Sequence, residues 1–321
     1  MINIVFFGEC MIEESANEQF CFGGDCLNSA LYCARVANKE TLSVSFASAV
    51  GKDNESEKLL ALWQQEGIDT RYVSQIANKK LGRYAITNNA QGERSFCYDR
   101  DDSAAKYYFC QDNNPLKAAL VNNTIDYFYF SGISLAILSD DDCQQLLALL
   151  TQFKHQGGRI IFDNNYRAVL WKNRQPQHFY QQAMHLADIA LLTDEDEYAL
   201  YGGNSLESII KRYPLYLTPS ASVIKGTELV IKQGEKPCII RAPLKDTSLF
   251  EIASSPIASK QVVDTCAAGD AFAAGYLAKR LLGESIEESA QFAHTLAGRV
   301  IQYSGAIIAR EQMKDLLCNK A

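Results

Sequence analysis

Short apolar runs alternate with longer stretches of helical spacing along most of this chain. Ile2–Phe7, Leu42–Val50, Ile125–Phe130, Arg159–Phe162, Ile189–Leu192 and Ser222–Lys225 read as strands. Between them, apolar residues recur with the helical period over Asn28–Ala37, Glu55–Glu66, Asp140–His155, Gln177–Ala187 and Glu195–Tyr201, and two further helices, Gly269–Leu282 and Ile286–Tyr303, close the chain. Strand–helix alternation of this kind predicts an α/β fold: a doubly wound, mostly parallel sheet flanked by helices and linked by right-handed crossovers.

One region breaks the alternation. Arg83–Asn88 and Glu93–Arg100 flank Asn89-Ala90-Gln91-Gly92, a hairpin pattern too polar for central strands. Cys10–Ser15 and Gln19–Phe22 form a second short pair. Together they predict a small β-sheet lid built from insertions at about residues 10–24 and 82–101. No repeat, low-complexity tract or Pro/Gly/Ser-rich linker interrupts the sequence, so the expectation is one domain over residues 1–321 with the lid growing out of its core.

Polar clusters follow the strands: Gly8-Glu9, Gly51-Lys52-Asp53, Ser131-Gly132, Asp163-Asn164-Asn165-Tyr166-Arg167, Thr193 to Glu197, and Gly226-Thr227. Ligands of open parallel sheets bind outside the carboxyl ends of the strands, so these clusters predict one long cleft along that edge. Loops are polar in any case, and that is the competing reading of each cluster taken alone. Lys and Arg total 31 against 38 Asp and Glu, a net charge of −7, which argues against nucleic acid or an anionic membrane as partner. The ten cysteines include no Cys-x-x-Cys and the four histidines lie apart, so neither a zinc site nor a disulfide framework is signalled. Scattered thiols suit a reducing compartment. Met1–Phe7 lacks a basic region, and the longest mostly apolar stretch, Tyr127–Leu138, is too short to span a bilayer; the expectation is a cytoplasmic protein.

The segment richest in chemistry is Asp264-Thr265-Cys266-Ala267-Ala268-Gly269-Asp270-Ala271-Phe272, which leads into an alanine-rich helix. Small residues let the backbone turn tightly, and the free amides of a helix start, backed by the positive end of the macrodipole, form an anion hole. An aspartate there would repel a phosphate as a ligand, but it makes sense as the base that takes a proton from an attacking hydroxyl. Anion hole and base together are the minimum machinery for phosphoryl transfer to an alcohol. The alternative for Asp270 is a helix N-cap.

This segment and Gly23-Gly24-Asp25-Cys26-Leu27-Asn28-Ser29-Ala30 are the two signatures, in order, of the ribokinase-like (PfkB) sugar kinases, which the chain resembles. It is similar, within that family, to the kinases of the sugar acid 2-dehydro-3-deoxygluconate, through Gly8-Glu9-Cys10-Met11-Ile12-Glu13, Gly92-Glu93-Arg94, Ala104-Ala105-Lys106, the run from Ser131 to Ser139, Phe162 to Arg167, Val300-Ile301-Gln302-Tyr303 and Gly305-Ala306-Ile307-Ile308. The resemblance implies a ribokinase-like fold and ATP-dependent phosphorylation of that acid at its C6 hydroxyl. Asp270 would be the base and the Ala267, Ala268, Gly269 and Asp270 amides the anion hole. It implies that Gly23, Gly24, Asp25 and Asn28 hold sugar hydroxyls, and that Tyr84, Tyr98, Arg100 and Arg167 surround the sugar acid. Arginine matches a carboxylate bidentately, which suits an anionic substrate. Arg100 in a surface ion pair with Asp101 or Asp102, and the tyrosines as strand packing, are the competing readings.

For ATP, the resemblance implies a lysine–glycine stretch after a late core strand, placed at Lys225-Gly226, with His294 and Gly305 bordering the adenine; a packed helix end is the alternative for these two. Thr193 and Asp196 fall where the family has an Asn-x-x-Glu motif that organises Mg²⁺ through water, and both positions are substituted. Asp196 equally suits the first turn of a helix. The implied cofactors are ATP and Mg²⁺, with a monovalent cation as an optional third, and the implied assembly is a homodimer or larger, because a lid sheet leaves edges to cover. Cys266 sits where relatives usually have threonine or glycine; it reads either as a reactive thiol at a helix start or as a small packed hydrophobe. Two rivals stay open: a sister kinase acting on 2-ketogluconate or fructose, and a non-catalytic sugar-acid sensor.

Overall fold

The computed structural model describes residues 1–318 except 15–19, 89–93, 215, 218–223, 244–248 and 256. The strands are β1 (Ile2–Phe7), β2 (Met11–Glu14), β3 (Cys21–Gly23), β4 (Leu42–Val50), β5 (Asp69–Gln75), β6 (Gly82–Asn88), β7 (Arg94–Asp99), β8 (Tyr127–Ser131), β9 (Arg159–Asp163) and β10 (Ile189–Thr193). They continue with β11 (Tyr216–Leu217), β12 (Ile224–Lys225), β13 (Glu228–Gln233), β14 (Lys236–Arg241) and β15 (Leu249–Ile252). Nine of them form one sheet in the order β15-β14-β13-β10-β9-β8-β1-β4-β5. The run from β13 to β5 is parallel throughout, and β14 and β15 add an antiparallel edge. The chain winds outward from β1 to β5, then returns through β8 to the other half, so the order reverses beside β1.

The apolar runs are continuous because both faces of the sheet are covered. Successive residues of β1 enter opposite cores: Ile4 and Phe6 join one with the helices Asp25–Val36, Ala268–Arg280 and Ile286–Val300, whereas Val5 and Phe7 join the other with Asp140–His155 and Pro176–Leu186. A second sheet, ordered β3-β2-β6-β7, is the predicted lid. Its two hairpin-like pairs join through parallel strands β2 and β6, which set Glu13 opposite Tyr84; across β6 and β7, Tyr84 faces Tyr98. The predicted turn Asn89-Ala90-Gln91-Gly92 lies outside the described residues. No helix among the described residues is long and apolar enough to cross a membrane.

Two expectations need correction. The helix read from Asn28 begins at Asp25, because Gly24 is still extended and a Cβ there would lie 2.1 Å from the Glu9 carbonyl oxygen. The core strand placed at Ser222–Lys225 is instead β13; among the described residues Ile224–Lys225 pairs with Tyr216–Leu217 in a separate two-stranded sheet. β13 reads poorly in sequence because it carries charge at both ends of its apolar run. Those charges are hidden by partners: Arg280 and the Tyr276 hydroxyl at Glu228, Asp163 at Lys232.

Candidate active site

Residues 264–270 turn from an extended segment into the helix Ala268–Arg280. The Asp264 carboxylate fixes the turn, accepting from the Cys266 amide at 3.0 Å and from the Gly305 amide at 2.9 Å. Ala267 is left-handed, with φ 59° and ψ 13°, a conformation that costs an alanine about 1–2 kcal/mol. The Ala268 amide is already bonded to the Thr265 carbonyl at 3.2 Å. The Gly269 and Asp270 amides precede the first helical bond, from Ala271 to Ala267, and so belong to the turn in which a helix leaves its donors free.

The Asp270 side chain accepts from Asn28 Nδ2 at 2.8 Å, which ties the C-terminal helix start to the N-terminal one. Burial pushes its carboxyl up to about 7, helped by the negative charges of Asp25 and Asp163 and opposed by the Asn28 hydrogen bond and Lys232. Asp25 opens its own helix and accepts from the Ser131 hydroxyl and from Asn165 Nδ2 at 2.9 Å; burial raises its carboxyl as well. Two carboxylates from distant parts of the sequence thus meet at the ends of two helices, each held by neutral donors.

Both face a cavity of about 520 Å³ outside the carboxyl ends of β9, β10 and β13. Tyr98 of the lid lines it, as do Asp163 at the end of β9 with Asn165 and Arg167 after it, Thr193 at the end of β10 with Asp196 after it, and Lys232 to Gly234 at the end of β13. Residues 265–270, Phe272, His294, Ala297 and Asn28 also line it. Lys232 Nζ donates to Asp163 Oδ2 at 3.0 Å and lies 3.6 Å from where a Cβ on Gly269 would stand. Arg167 Nη1 donates to Asp196 Oδ1 at 3.1 Å, and burial raises the Asp196 carboxyl despite that partner.

Of the residues predicted from sequence, the cavity wall therefore brings together Asp25, Asn28, Tyr98, Arg167, Thr193, Asp196, His294 and the 267–270 segment. Tyr84 and Arg100 stand behind it. The Tyr84 hydroxyl donates to Glu13 Oε2 at 2.7 Å, and the Arg100 guanidinium is paired with buried Glu9, neither Asp101 nor Asp102 being its partner. Gly23 borders the Tyr84 hydroxyl and Asn28, and Gly24 donates its amide to Asn28 Oδ1 at 3.4 Å. Gly305 supports the 264–270 turn through Asp264. His294 donates Nε2–H to the Ile252 carbonyl at 3.0 Å and packs edge-on to Phe272; burial lowers its pKa.

Lys225-Gly226 does not take the place assigned to it. These residues precede β13, and the Thr227 hydroxyl that follows is tied to the Ala187 carbonyl at 2.9 Å, before β10 begins. The lysine and glycine at the carboxyl end of the late core strand are Lys232 and Gly234. Sequence reasoning missed these two, and gave no individual role to Glu9, Glu13, Asp163 or Asn165. The spacing Lys-x-Gly after the apolar run 229–231 is the signal that points to Lys232. Among the described residues, no group of three or more His, Cys, Asp or Glu is arranged to hold a metal ion by itself.

Comparison with known proteins places the chain in a family. The pfkB family of carbohydrate kinases matches residues 1–313. The 2-dehydro-3-deoxygluconokinase of Escherichia coli (strain K12) is 41% identical over 314 residues, covering 97% of this chain and 98% of that protein. The enzyme of the same name from Dickeya dadantii (strain 3937) is 40% identical over 316 residues, with coverages of 97% and 98%. A crystal structure of a candidate ribokinase II from E. coli in complex with ATP and Mg²⁺ superposes with a TM-score of 0.76 at 18% identity, covering 98% of this chain and 99% of that one. The family match runs from the first strand of the sheet to residue 313, beyond the last helix: the chain is an enzyme of the sugar-kinase class and belongs to the pfkB family of carbohydrate kinases.

Proposed function

We propose that this protein phosphorylates 2-dehydro-3-deoxygluconate at its C6 hydroxyl with ATP, giving 2-dehydro-3-deoxy-6-phosphogluconate and ADP. One observation carries the reading: Asp270, the carboxyl raised to about 7, stands at the free-amide start of a helix in the same cavity as Asp25, Asn28 and Arg167. A base poised near neutral pH next to an anion-accepting turn is what transfer to an alcohol requires. Relatives carrying that enzyme's name over almost the full chain support the choice of acceptor.

In this reading Asp25 and Asn28 orient the sugar hydroxyls, and Arg167, with Arg100 behind it, receives the carboxylate. ATP with Mg²⁺ supplies the phosphoryl group and the cation that offsets its charge. The residues fit such a ligand: the Gly269 and Asp270 amides and Lys232 offer donors to phosphate oxygens, the Asp163 and Asp196 carboxylates face the cavity where a hydrated cation would ride, and His294, Phe272 and Ala297 offer an apolar wall. Lys232-Gln233-Gly234 replaces Lys225-Gly226 as the nucleotide-side stretch, and Gly305 acts by bracing the turn. Asp270 takes the proton as O6 attacks the γ-phosphorus and the bond to the bridging oxygen of ADP breaks. The amides of the turn stabilise the charge spread over the transferred oxygens. A monovalent cation is an optional activator, and no residue is assigned to it.

The ten free cysteines suit a reducing compartment, and the cytoplasm is the proposed location. The lid's outer strands, β3 and β7, are proposed as the surface through which copies of the chain associate. Asp270→Asn tests the chemistry. Turnover falls by about 10²–10⁴-fold while the sugar acid still binds; a variant keeping more than a tenth of wild-type kcat removes Asp270 from its role.

A further inference from the structure

Three cations stand at the cleft or behind its wall, and each is already paired with a carboxylate: Lys232 with Asp163, Arg100 with Glu9, and Arg167 with Asp196. The hydrogen bonds of Asp25 and Asp270 come from neutral groups. An entering carboxylate therefore meets no unpaired cation among these three, and has to take the place of one of the protein's own acids.

Burial decides which pair gives way. The side chains of Arg100 and Glu9 are 9% and 2% exposed, and Glu9 Oε1 is buried without any hydrogen-bond partner. Parting them would leave an uncompensated charge in the interior, the costly way to break an ion pair. Lys232 and Asp163 are 11% and 6% exposed, and Lys232 lies beside Gly269 on the phosphate side. Arg167 is different. Its side chain is 52% exposed, Asp196 is 17% exposed, and they share a single contact at 3.1 Å. The same Nη1 also donates to its neighbour's carbonyl, at Tyr166, at 2.8 Å, which leaves the guanidinium anchored while Asp196 departs. With its guanidinium half exposed and a single contact between the two side chains, this pair exchanges more readily than the other two.

We propose that Asp196 is a built-in competitor for the substrate's carboxylate. In the free enzyme it occupies Arg167, and the sugar acid binds by displacing it. Asp196 thereby weakens acid binding and narrows the preference of the site for acids over neutral sugars. The inference rests on the reading that Arg167 receives the carboxylate, and it makes Asp196 a specificity-determining residue acting through Arg167.

Isothermal titration of the whole chain without nucleotide tests this. The ligands are 2-dehydro-3-deoxygluconate and its neutral counterpart with a C1 alcohol, 3-deoxyfructose. Asp196→Asn tightens binding of the acid about three- to tenfold and leaves the neutral sugar within twofold. Asp196→Ser gives the same selective gain, and Asp196→Glu, which keeps the charge, gives none. Arg167→Ala weakens the acid alone, and adding Asp196→Asn to it restores nothing. A packing role for Asp196 produces loss or no change, never selective gain. If Asp196→Asn leaves acid affinity unchanged, weakens it, or tightens both ligands equally while Arg167→Ala remains selective, the competitor is overturned and the Arg167 reading stands. If Arg167→Ala weakens both ligands alike, that reading fails and the competitor fails with it.

Discussion

The base role proposed for Asp270 comes at a cost in stability, and pH exposes both sides. Its carboxyl is raised to about 7, first by burial and then by the Asp25 charge. A base has to be ionised, so kcat/KM in the free enzyme falls tenfold per unit below about pH 7 and levels off above it; a profile flat down to pH 5 contradicts the assignment. The linkage runs the other way for the fold. A carboxyl whose folded pKa lies above its unfolded value favours the folded chain fully only below about pH 4, and that contribution is lost as pH rises through about 7. Asp270→Asn removes the titration and keeps an oxygen to accept from Asn28. The Asp270→Asn variant is therefore expected to be more stable than wild type at pH 8, by at most about 4 kcal/mol, with the gap closing toward pH 4. Denaturant titrations at the two pH values check it, and a variant less stable at pH 8 counts against the raised carboxyl. Cys266, half-buried on the same cavity wall, gives a second test at this scale. Iodoacetamide inactivates the free enzyme, ATP–Mg²⁺ slows the loss, and Cys266→Thr removes the sensitivity. A Cys266→Thr variant inactivated at the wild-type rate makes Cys266 a packing residue only.

At the scale of elements, the turn at 264–270 is held by what lies behind it. The helix Ala268–Arg280 crosses Ile286–Val300 so closely that a Cβ on Gly275 would lie 2.9 Å from Ala293 Cα. Gly275→Ala pushes the helices apart at a cost of about 1–3 kcal/mol. It shifts the urea midpoint while the KM for the sugar acid stays within twofold; an unchanged midpoint shows that the crossing has slack. This helix was legible because small residues precede an apolar period, and the alternating strands were legible because both faces of the sheet are covered. What escaped is set by partners far along the chain. Glu228 and Lys232 make β13 look like surface until Arg280 and Asp163 are seen to neutralise them, while Ser222–Lys225, followed by Gly226, imitates the strand and the motif together. Glu9 and Arg100 are 91 residues apart, and nothing local announces that they pair. Asp270 was singled out by residue type and neighbours, and Tyr84 by the family resemblance; that they bond to Asn28 and Glu13 required the fold.

Across the whole molecule, the lid is the part that the main sheet does not explain. Its order, β3-β2-β6-β7, leaves both outer strands without a neighbour among the described strands, a state natural sheets usually cover. Sedimentation at micromolar concentration is expected to give a dimer or larger; a monomer near the chain mass of 35.7 kDa contradicts lid association. Cleft, base and lid together make one claim, that this fold phosphorylates a sugar acid. The most direct test is kcat/KM with ATP–Mg²⁺ for 2-dehydro-3-deoxygluconate, 2-ketogluconate, fructose and ribose, with the phosphate located on the product by NMR. The account predicts that 2-dehydro-3-deoxygluconate exceeds fructose and ribose by at least about tenfold, the margin that one charge-assisted contact provides, with phosphate on C6. Fructose or ribose turned over as fast, phosphate at another carbon, or no transfer to any of the four would contradict it.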